Sequence, residues 1–282
     1  MCGIAGILRF DNQQVLAETI EAMTSQLTHR GPDGCGCSVD GAIGLGHRRL
    51  SIIDLSPAGR QPMSYRYGNK IVVFNGEIYN YRELRKELEN FGYLFSTNTD
   101  TEVLINAYAA WGQKCLDKFC GMFAFAIWDR DNKTLFLARD RLGKKPLHIF
   151  RFPGGIAFSS ELKGFYPLPE FNKRINNESL HYYFSLRYIP APYTIWEHCE
   201  KVRPAHWVRI AVNGSESSEC YWYPKPSAEN RNFLSPAEAD VHIHDALRLA
   251  VHQRMISDVP LGAFLSGGID SSLVVALMAE MS

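Results

Sequence analysis

The 282-residue sequence has no excess of either charge: 30 basic and 30 acidic side chains give a formal net charge of +0. Without a basic balance there is no electrostatic footprint for nucleic acid or an anionic membrane, and neither partner is expected. No stretch reaches the roughly 18 apolar residues of a membrane span. The N-terminus has no basic region leading into an apolar run, so it does not read as a secretory signal. Cysteine is sparse and odd in number: Cys2, Cys35, Cys37, Cys115, Cys120, Cys199 and Cys220. An odd set in a chain without an export signal favours reduced thiols and a cytoplasmic setting over a disulfide framework. Cys35 and Cys37 form C-x-C, one residue short of the usual zinc or redox pair. No His/Cys pair stands at ligand spacing, so no metal site is expected.

What is present describes an ordinary globular chain, 46% hydrophobic and 21% charged, long enough for one large domain or two ordinary ones. MCGIAGILRF reads as a buried strand, and VLAETIEAMTSQL as an amphipathic helix with Leu16, Ile20, Met23 and Leu27 on one stripe. AIGLG, LSIID and KIVVFN are short β-type runs, the last ending at a turn through Asn75-Gly76. YNYRELRKELENFG is a helix closed by Gly92. DTEVLINAYAAWG is another, with Asp100 as its N-cap. GMFAFAIWD, TLFLARD, LHIFRF and GIAFSS follow as antiparallel strands. Strands, helices and strands again predict an α+β sandwich rather than alternating βαβ units. Proline-punctuated FYPLPEF and RYIPAPYTIW read as a connector. The domain expectation is therefore 2–190, a connector at 191–230, and a second unit at 231–282. That second unit begins with a long helix and continues as a short apolar strand (VPLGAFL), a Ser/Gly loop and an apolar helix. One strand cannot bury itself as a parallel α/β domain, so 231–282 reads as the incomplete opening of one.

Cys2 becomes the first residue once Met1 is removed. Its own α-amine, with a pKa of about 7.7–8.0, could then take the thiol proton during attack. On this stretch alone, a packing thiol is the commoner reading. FNGEIYN adds the Asn75 carboxamide and the Gly76 N–H, the donor types of an oxyanion hole, each worth on the order of 3 kcal/mol when aligned. Arg49 could hold a carboxylate bidentately, and Glu77 and Asp100 an ammonium.

MCGIAGI, HRGPD, HRRLSIID, FNGEIYNY, DTEV and RDRLGKKPL, in this order, resemble the glutamine-hydrolysing asparagine synthetases and, more broadly, the class II amidotransferases with an N-terminal nucleophile. The resemblance implies a four-layer αββα sandwich of the N-terminal-nucleophile type. It implies Cys2 as the nucleophile on the glutamine amide and Asn75 and Gly76 as the oxyanion hole. Arg49 with Leu50 and Ile52 takes the glutamine carboxylate, and Glu77 and Asp100 complete the pocket.

SGGIDSS, between VPLGAFL and the last helix, joins glycines, hydroxyls and a helix N-terminus, the components of an anion-binding nest. It lacks the lysine of a Walker A loop and resembles the pyrophosphate loop of the ATP pyrophosphatases. This implies Ser266, Gly267, Gly268, Asp270, Ser271 and Ser272 as ATP-binding residues, with the backbone of Leu265 beside the nucleotide. The implied co-substrates are glutamine, aspartate and ATP with Mg2+, without a prosthetic group. Ammonia would meet β-aspartyl-AMP to give asparagine, AMP and pyrophosphate, and a homodimer is compatible with this. Two departures from the family pattern stand out: Lys144 replaces an apolar residue in RLGKKPL, and Ala205 replaces a glycine in VRPAHWVRI. Two other readings remain: an amidotransferase with a sugar or peptide acceptor, and an inactive fragment.

Overall fold

The computed structural model describes residues 1–225 and 235–282. The chain forms two compact units, Met1–Tyr223 and Pro224–Ser282. The first unit begins with β1 (Gly3–Arg9), α1 (Ala17–Ser25), β2 (Gly34–Asp40), β3 (Ile43–Arg49), β4 (Met63–Ser64) and β5 (Lys70–Ile78). Three helices follow, α2 (Tyr81–Asn90), α3 (Asp100–Trp111) and the short α4 (Cys115–Lys118). Then come β6 (Gly121–Asp129), β7 (Thr134–Arg139), β8 (His148–Phe152), β9 (Gly155–Ser159), α5 (Asn177–Leu186), β10 (Cys199–Lys201), β11 (His206–Ala211) and β12 (Glu216–Cys220). Two six-stranded antiparallel sheets result, ordered β10-β8-β9-β1-β3-β2 and β12-β11-β7-β6-β5-β4.

The period-two alternation of β1 explains the layering. Ile4 and Leu8 point into the core between the sheets, with Leu45, Val73, Ala126 and Leu137. Ala5 and Ile7 point the other way, onto Ile20, Met23 and Leu27. Such alternation is what a strand needs when both its faces are buried under different layers. α3 packs on β5 at the outer face of the second sheet, and α2 packs on α3. The fold is the expected α+β αββα sandwich. No helix among the described residues is long and apolar enough to cross a membrane.

Several local expectations are corrected. Leu16 is exposed instead of joining the α1 stripe, because it occupies the N-cap with extended backbone and so lies off the helix. LSIID forms no strand: the guanidinium of Arg49 gathers the carbonyls of Ile53, Asp54 and Ser56 and curls the segment into a loop. Residues 191–223, expected in the connector, instead supply β10, β11 and β12 to the first unit, paired on β8, β7 and β11. The expected join at 230/231 lies outside the described residues. In the second unit, α6 (Pro236–Gln253) starts with a capping box of Ser235 and Glu238, and α7 (Ile269–Glu280) follows. VPLGAFL is not a strand, since no other strand exists among the described residues of this unit to pair with it.

α1 lies close on β3 because β3 carries glycines there. A Cβ on Gly46 would stand 2.5 Å from Thr24 Cγ2 and 2.6 Å from Ile20 Cγ2. Gly46→Val is expected to lower stability by about 2–3 kcal/mol through overpacking. The urea midpoint should fall with an unchanged slope.

Candidate active site

Cys2 precedes β1 at the rim of a cleft of about 260 Å³, below the 300–1,000 Å³ typical of drug-sized ligands and suited to a single amino acid. Arg49, Leu50, Ile52, Asn75, Gly76, Glu77 and Asp100 line the same cleft. The structure thus brings together every residue that the sequence nominated for the first pocket. Met1, Gln61, Thr99, Thr101, Met122 and Lys145 also line it.

The backbone of Cys2 is fixed by Arg30, whose Nε donates to the Cys2 carbonyl at 2.9 Å while Nη1 donates to Glu161 Oε1 at 2.8 Å. Cys2 Sγ accepts from the Leu50 N–H at 3.4 Å and faces the Leu50 carbonyl at 3.6 Å. Burial pushes the thiol pKa up, opposed by that Leu50 contact. Cys2 therefore rests as a thiol, and would need a base to act as a nucleophile. In this chain the terminal amine sits on Met1, its pKa lowered by burial and, secondarily, by Arg30 and Lys145.

Asn75 and Gly76 are not a turn. β5 runs through them to Ile78, paired with β6 in the register Asn75↔Ala124 and Gly76↔Phe123. Alternate residues of an antiparallel strand address opposite neighbours. Phe74 and Ile78 address the side away from β6: the Phe74 N–H goes to Gln61 Oε1 and the Ile78 N–H to Asp100 Oδ2 at 3.0 Å. The Gly76 N–H, between them in the alternation, faces that same open side. Only glycine fits here, because a Cβ would lie 2.2 Å from the Met122 carbonyl oxygen. The Asn75 side chain is 1% exposed, and neither its Nδ2 nor its Oδ1 has a hydrogen-bond partner among the described residues. An orphaned buried carboxamide is costly unless a ligand completes it.

Asp100 is not the N-cap of α3. Thr99 is, accepting from the Glu102 N–H, which frees Asp100 to turn inward. Burial raises its pKa to about 7, with the nearby Glu77 adding to the shift and the Ile78 N–H opposing it. Burial raises Glu77 as well, while the ammonium of Lys145 pulls it down. Lys145 is itself lowered by burial. Its backbone is held on both sides: Asp140 Oδ2 accepts from its N–H at 2.9 Å, and Arg139 Nε donates to its carbonyl at 2.7 Å. RDRLGKKPL is thus a loop that folds around its own Arg-Asp pair and delivers a lysine to the cleft. Lys144, the departure noted above, is exposed. Arg49 donates to the Ser56 carbonyl at 2.9 Å and shapes the 53–59 loop. Gly59 makes room for it, since a Cβ there would lie 2.1 Å from Arg49 Nη2.

In the second unit, Gly267 takes φ +81° and Gly268 is the N-cap of α7. The hydroxyls of Ser266 and Ser271 converge at 2.9 Å, and the Ser271 hydroxyl donates to the Gly268 carbonyl at 3.0 Å. Asp270 and Ser272 stand in the first helical turn, and Leu265 is exposed beside it. A Cβ on Gly267 would meet nothing within 4 Å. Open glycine backbone, hydroxyls and a helix N-terminus fit a phosphate group.

Residues 1–222 match the family model described as a glutamine amidotransferase domain. The chain belongs to this glutamine amidotransferase domain family. Residues 242–282 match the model described as asparagine synthase. Asparagine synthetase (glutamine-hydrolysing) 1 of Bacillus subtilis strain 168 is 39% identical over 99% of this chain and 44% of its own length. Asparagine synthetase (glutamine-hydrolysing) 3 of the same organism is 36% identical over 99% of the chain and 45% of its own length. A protein named amidase chry2, from Gibberella zeae, is 34% identical over 100% of the chain and 43% of its own length. The chain therefore spans less than half the length of these relatives. Among solved structures, the glutamine phosphoribosylpyrophosphate amidotransferase of B. subtilis, complexed with ADP and GMP, superposes with a TM-score of 0.60 at 20% identity, over 99% of this chain and 64% of that one. That likeness is one of fold.

The cleft residues that sequence reading did not nominate include Lys145, Gln61, Thr99, Thr101 and Met122, and Arg30 acts on the site from outside its lining, through the Cys2 carbonyl. A signal existed for two of them, because Arg30 lies in HRGPD and Lys145 in RDRLGKKPL.

The fold prefers Asp100 protonated, so its contribution to stability is whole below the unfolded pKa near 4 and is lost as pH rises to about 7. Asp100→Asn keeps an acceptor for the Ile78 N–H and removes the buried charge. It is expected to stabilise the protein by on the order of 2–4 kcal/mol at pH 8 and by almost nothing at pH 4. Thermal melts across that range measure the difference.

Proposed function

We propose that this chain hydrolyses glutamine to glutamate and ammonia, with Cys2 as nucleophile. The observation that carries the reading is the buried, unpartnered Asn75 carboxamide in the same cleft as Cys2. After Met1 is removed, the Cys2 α-amine takes the thiol proton as sulfur attacks the side-chain amide carbon. Asn75 Nδ2 and the Gly76 N–H receive the oxygen that becomes negative. The C–N bond then breaks, and the departing nitrogen leaves as ammonia with the proton held by the amine. A γ-glutamyl thioester stays on Cys2, and water, deprotonated by the same amine, releases glutamate. Arg49, with Leu50 and Ile52, takes the substrate carboxylate, and Glu77 and Asp100 its ammonium.

In the whole protein the ammonia amidates aspartate, giving asparagine. ATP with Mg2+ supplies the activation by adenylating the aspartate carboxylate and releasing pyrophosphate. Ser266, Gly267, Gly268, Asp270, Ser271 and Ser272 would hold the pyrophosphate, with Leu265 against the nucleotide. The reading places the whole enzyme in the cytoplasm, assembled as a homodimer. The glutaminase part ends with β12, near Tyr223.

The test is glutamate release by the chain after mass spectrometry has shown Cys2 at its N-terminus. Cys2→Ala should reduce kcat by at least about 10³-fold, and survival of the activity in that variant would overturn the assignment. Asn75→Ala should cost about 10²–10³ in kcat with KM little changed.

A further inference from the structure

The edge of β5 carries an arrangement that the reaction itself does not use. β4 covers β5 for two residues only, in the pairs Met63↔Val72 and Ser64↔Ile71. Beyond Val72, β5 has no neighbouring strand on that side among the described residues, although β6 accompanies it to Ile78 on the other. The next residue facing the uncovered side is Phe74, and both of its peptide groups are met by side chains. Gln61 Oε1 accepts from the Phe74 N–H at 2.6 Å, and His47 Nε2 lies 3.1 Å from the Phe74 carbonyl oxygen. A carbonyl only accepts, so Nε2 carries the hydrogen. The ring is 1% exposed.

We infer that His47 and Gln61 are positioning residues of the oxyanion hole, standing in for the missing strand at Phe74 and fixing where Asn75 and Gly76 meet the carbon attacked by Cys2. The inference rests on the glutaminase reading above. The anchors of the two side chains give it content. His47 belongs to β3 and stands opposite Ile4 of β1, two residues after Cys2. It therefore links the sheet that carries the nucleophile to the sheet that carries the oxyanion donors. Gln61 also donates from Nε2 to Thr101 Oγ1 at 3.1 Å, beside Asp100 on α3. It therefore ties the oxyanion strand to the carboxylate proposed for the substrate ammonium. Misplacing these donors by a fraction of an ångström weakens hydrogen bonds that matter most in the transition state. Ground-state binding by Arg49 and Asp100 would be little altered.

Glutamine keeps a donor nitrogen near the position of histidine Nε2, so His47→Gln tests rescue and His47→Leu tests loss. His47→Leu and Gln61→Met should each lower kcat about 10- to 100-fold with KM within about threefold, and His47→Gln should recover most of the loss. The γ-aldehyde analogue of glutamine provides a second readout. Cys2 sulfur adds to its carbonyl carbon as the thiol proton passes to the Cys2 α-amine, the C=O π bond breaks and the oxygen occupies the oxyanion site. Its affinity should fall in parallel with kcat/KM, while glutamate binding stays constant. The rate of Cys2 alkylation by iodoacetamide should match wild type, which identifies a folded variant with an intact nucleophile. Hydrogen exchange at the Phe74 amide should accelerate in Gln61→Met, a readout independent of turnover. Unchanged kcat in His47→Leu and Gln61→Met overturns the inference, as does a kcat loss without loss of aldehyde affinity. A wild-type chain with Cys2 exposed that releases no glutamate and binds no aldehyde overturns the glutaminase reading instead.

Discussion

A strand that outruns its neighbour exposes one N–H and one C=O at every second residue, and β5 does so from Phe74 to Ile78. These groups are served in succession by different means. Val72 pairs with β4, Phe74 is held by Gln61 and His47, and Ile78 gives its N–H to Asp100. Between them the Gly76 N–H is left facing the cleft. The candidate oxyanion hole is thus an uncovered segment of sheet edge. Its placement relative to Cys2 depends on the side chains that finish the edge on either side. Natural proteins usually cover or charge such edges to prevent pairing with other chains; here the open segment lies at a cleft of amino-acid size.

The second constraint is electrostatic. Asp100, Glu77 and Lys145 share a partly dry space, and each is shifted away from its ordinary value by burial. Arg49 and the terminal amine line the same cleft, and the ammonium of an amino acid would add a counter-charge beside the two carboxyls. Burying the ionised forms of these groups costs stability while the site is empty, as is common where binding needs a strained environment. The peptide groups around Lys145 are held by Arg139 and Asp140, so its position comes from a rigid loop rather than from a flexible stem.

Much of this was legible in the sequence, for stated reasons. Cys2, Asn75-Gly76, Arg49, Glu77 and Asp100 are residue types whose chemistry narrows their use, and their motifs resemble those of a family. The apolar run of β1, the helices after β5 and the runs that became β6 to β9 announced the sandwich. What was not legible depends on neighbours distant in the chain. Asn-Gly reads locally as a turn, and only pairing with β6 shows it to be mid-strand. Asp100 reads as a cap until Thr99 is seen to do that work. LSIID has a strand's composition, but Arg49 bends it by collecting its carbonyls. β12 is polar throughout, so no hydrophobic period could separate it from a connector. His47 and Gln61 are ordinary polar residues in the sequence, and their role follows from where β4 stops.

The burial of Cys2 Sγ has a consequence under oxidising stress. Peroxides attack thiolates, and a cysteine kept protonated by burial offers them little. With Met1 in place Cys2 is held in that form, half-buried at the rim of the cleft. Cys35 and Cys220 lie exposed on the surface and would meet a soluble oxidant first. Cys2 is thus spared chemical damage by the same burial that, in the proposed reaction, makes it wait for a base.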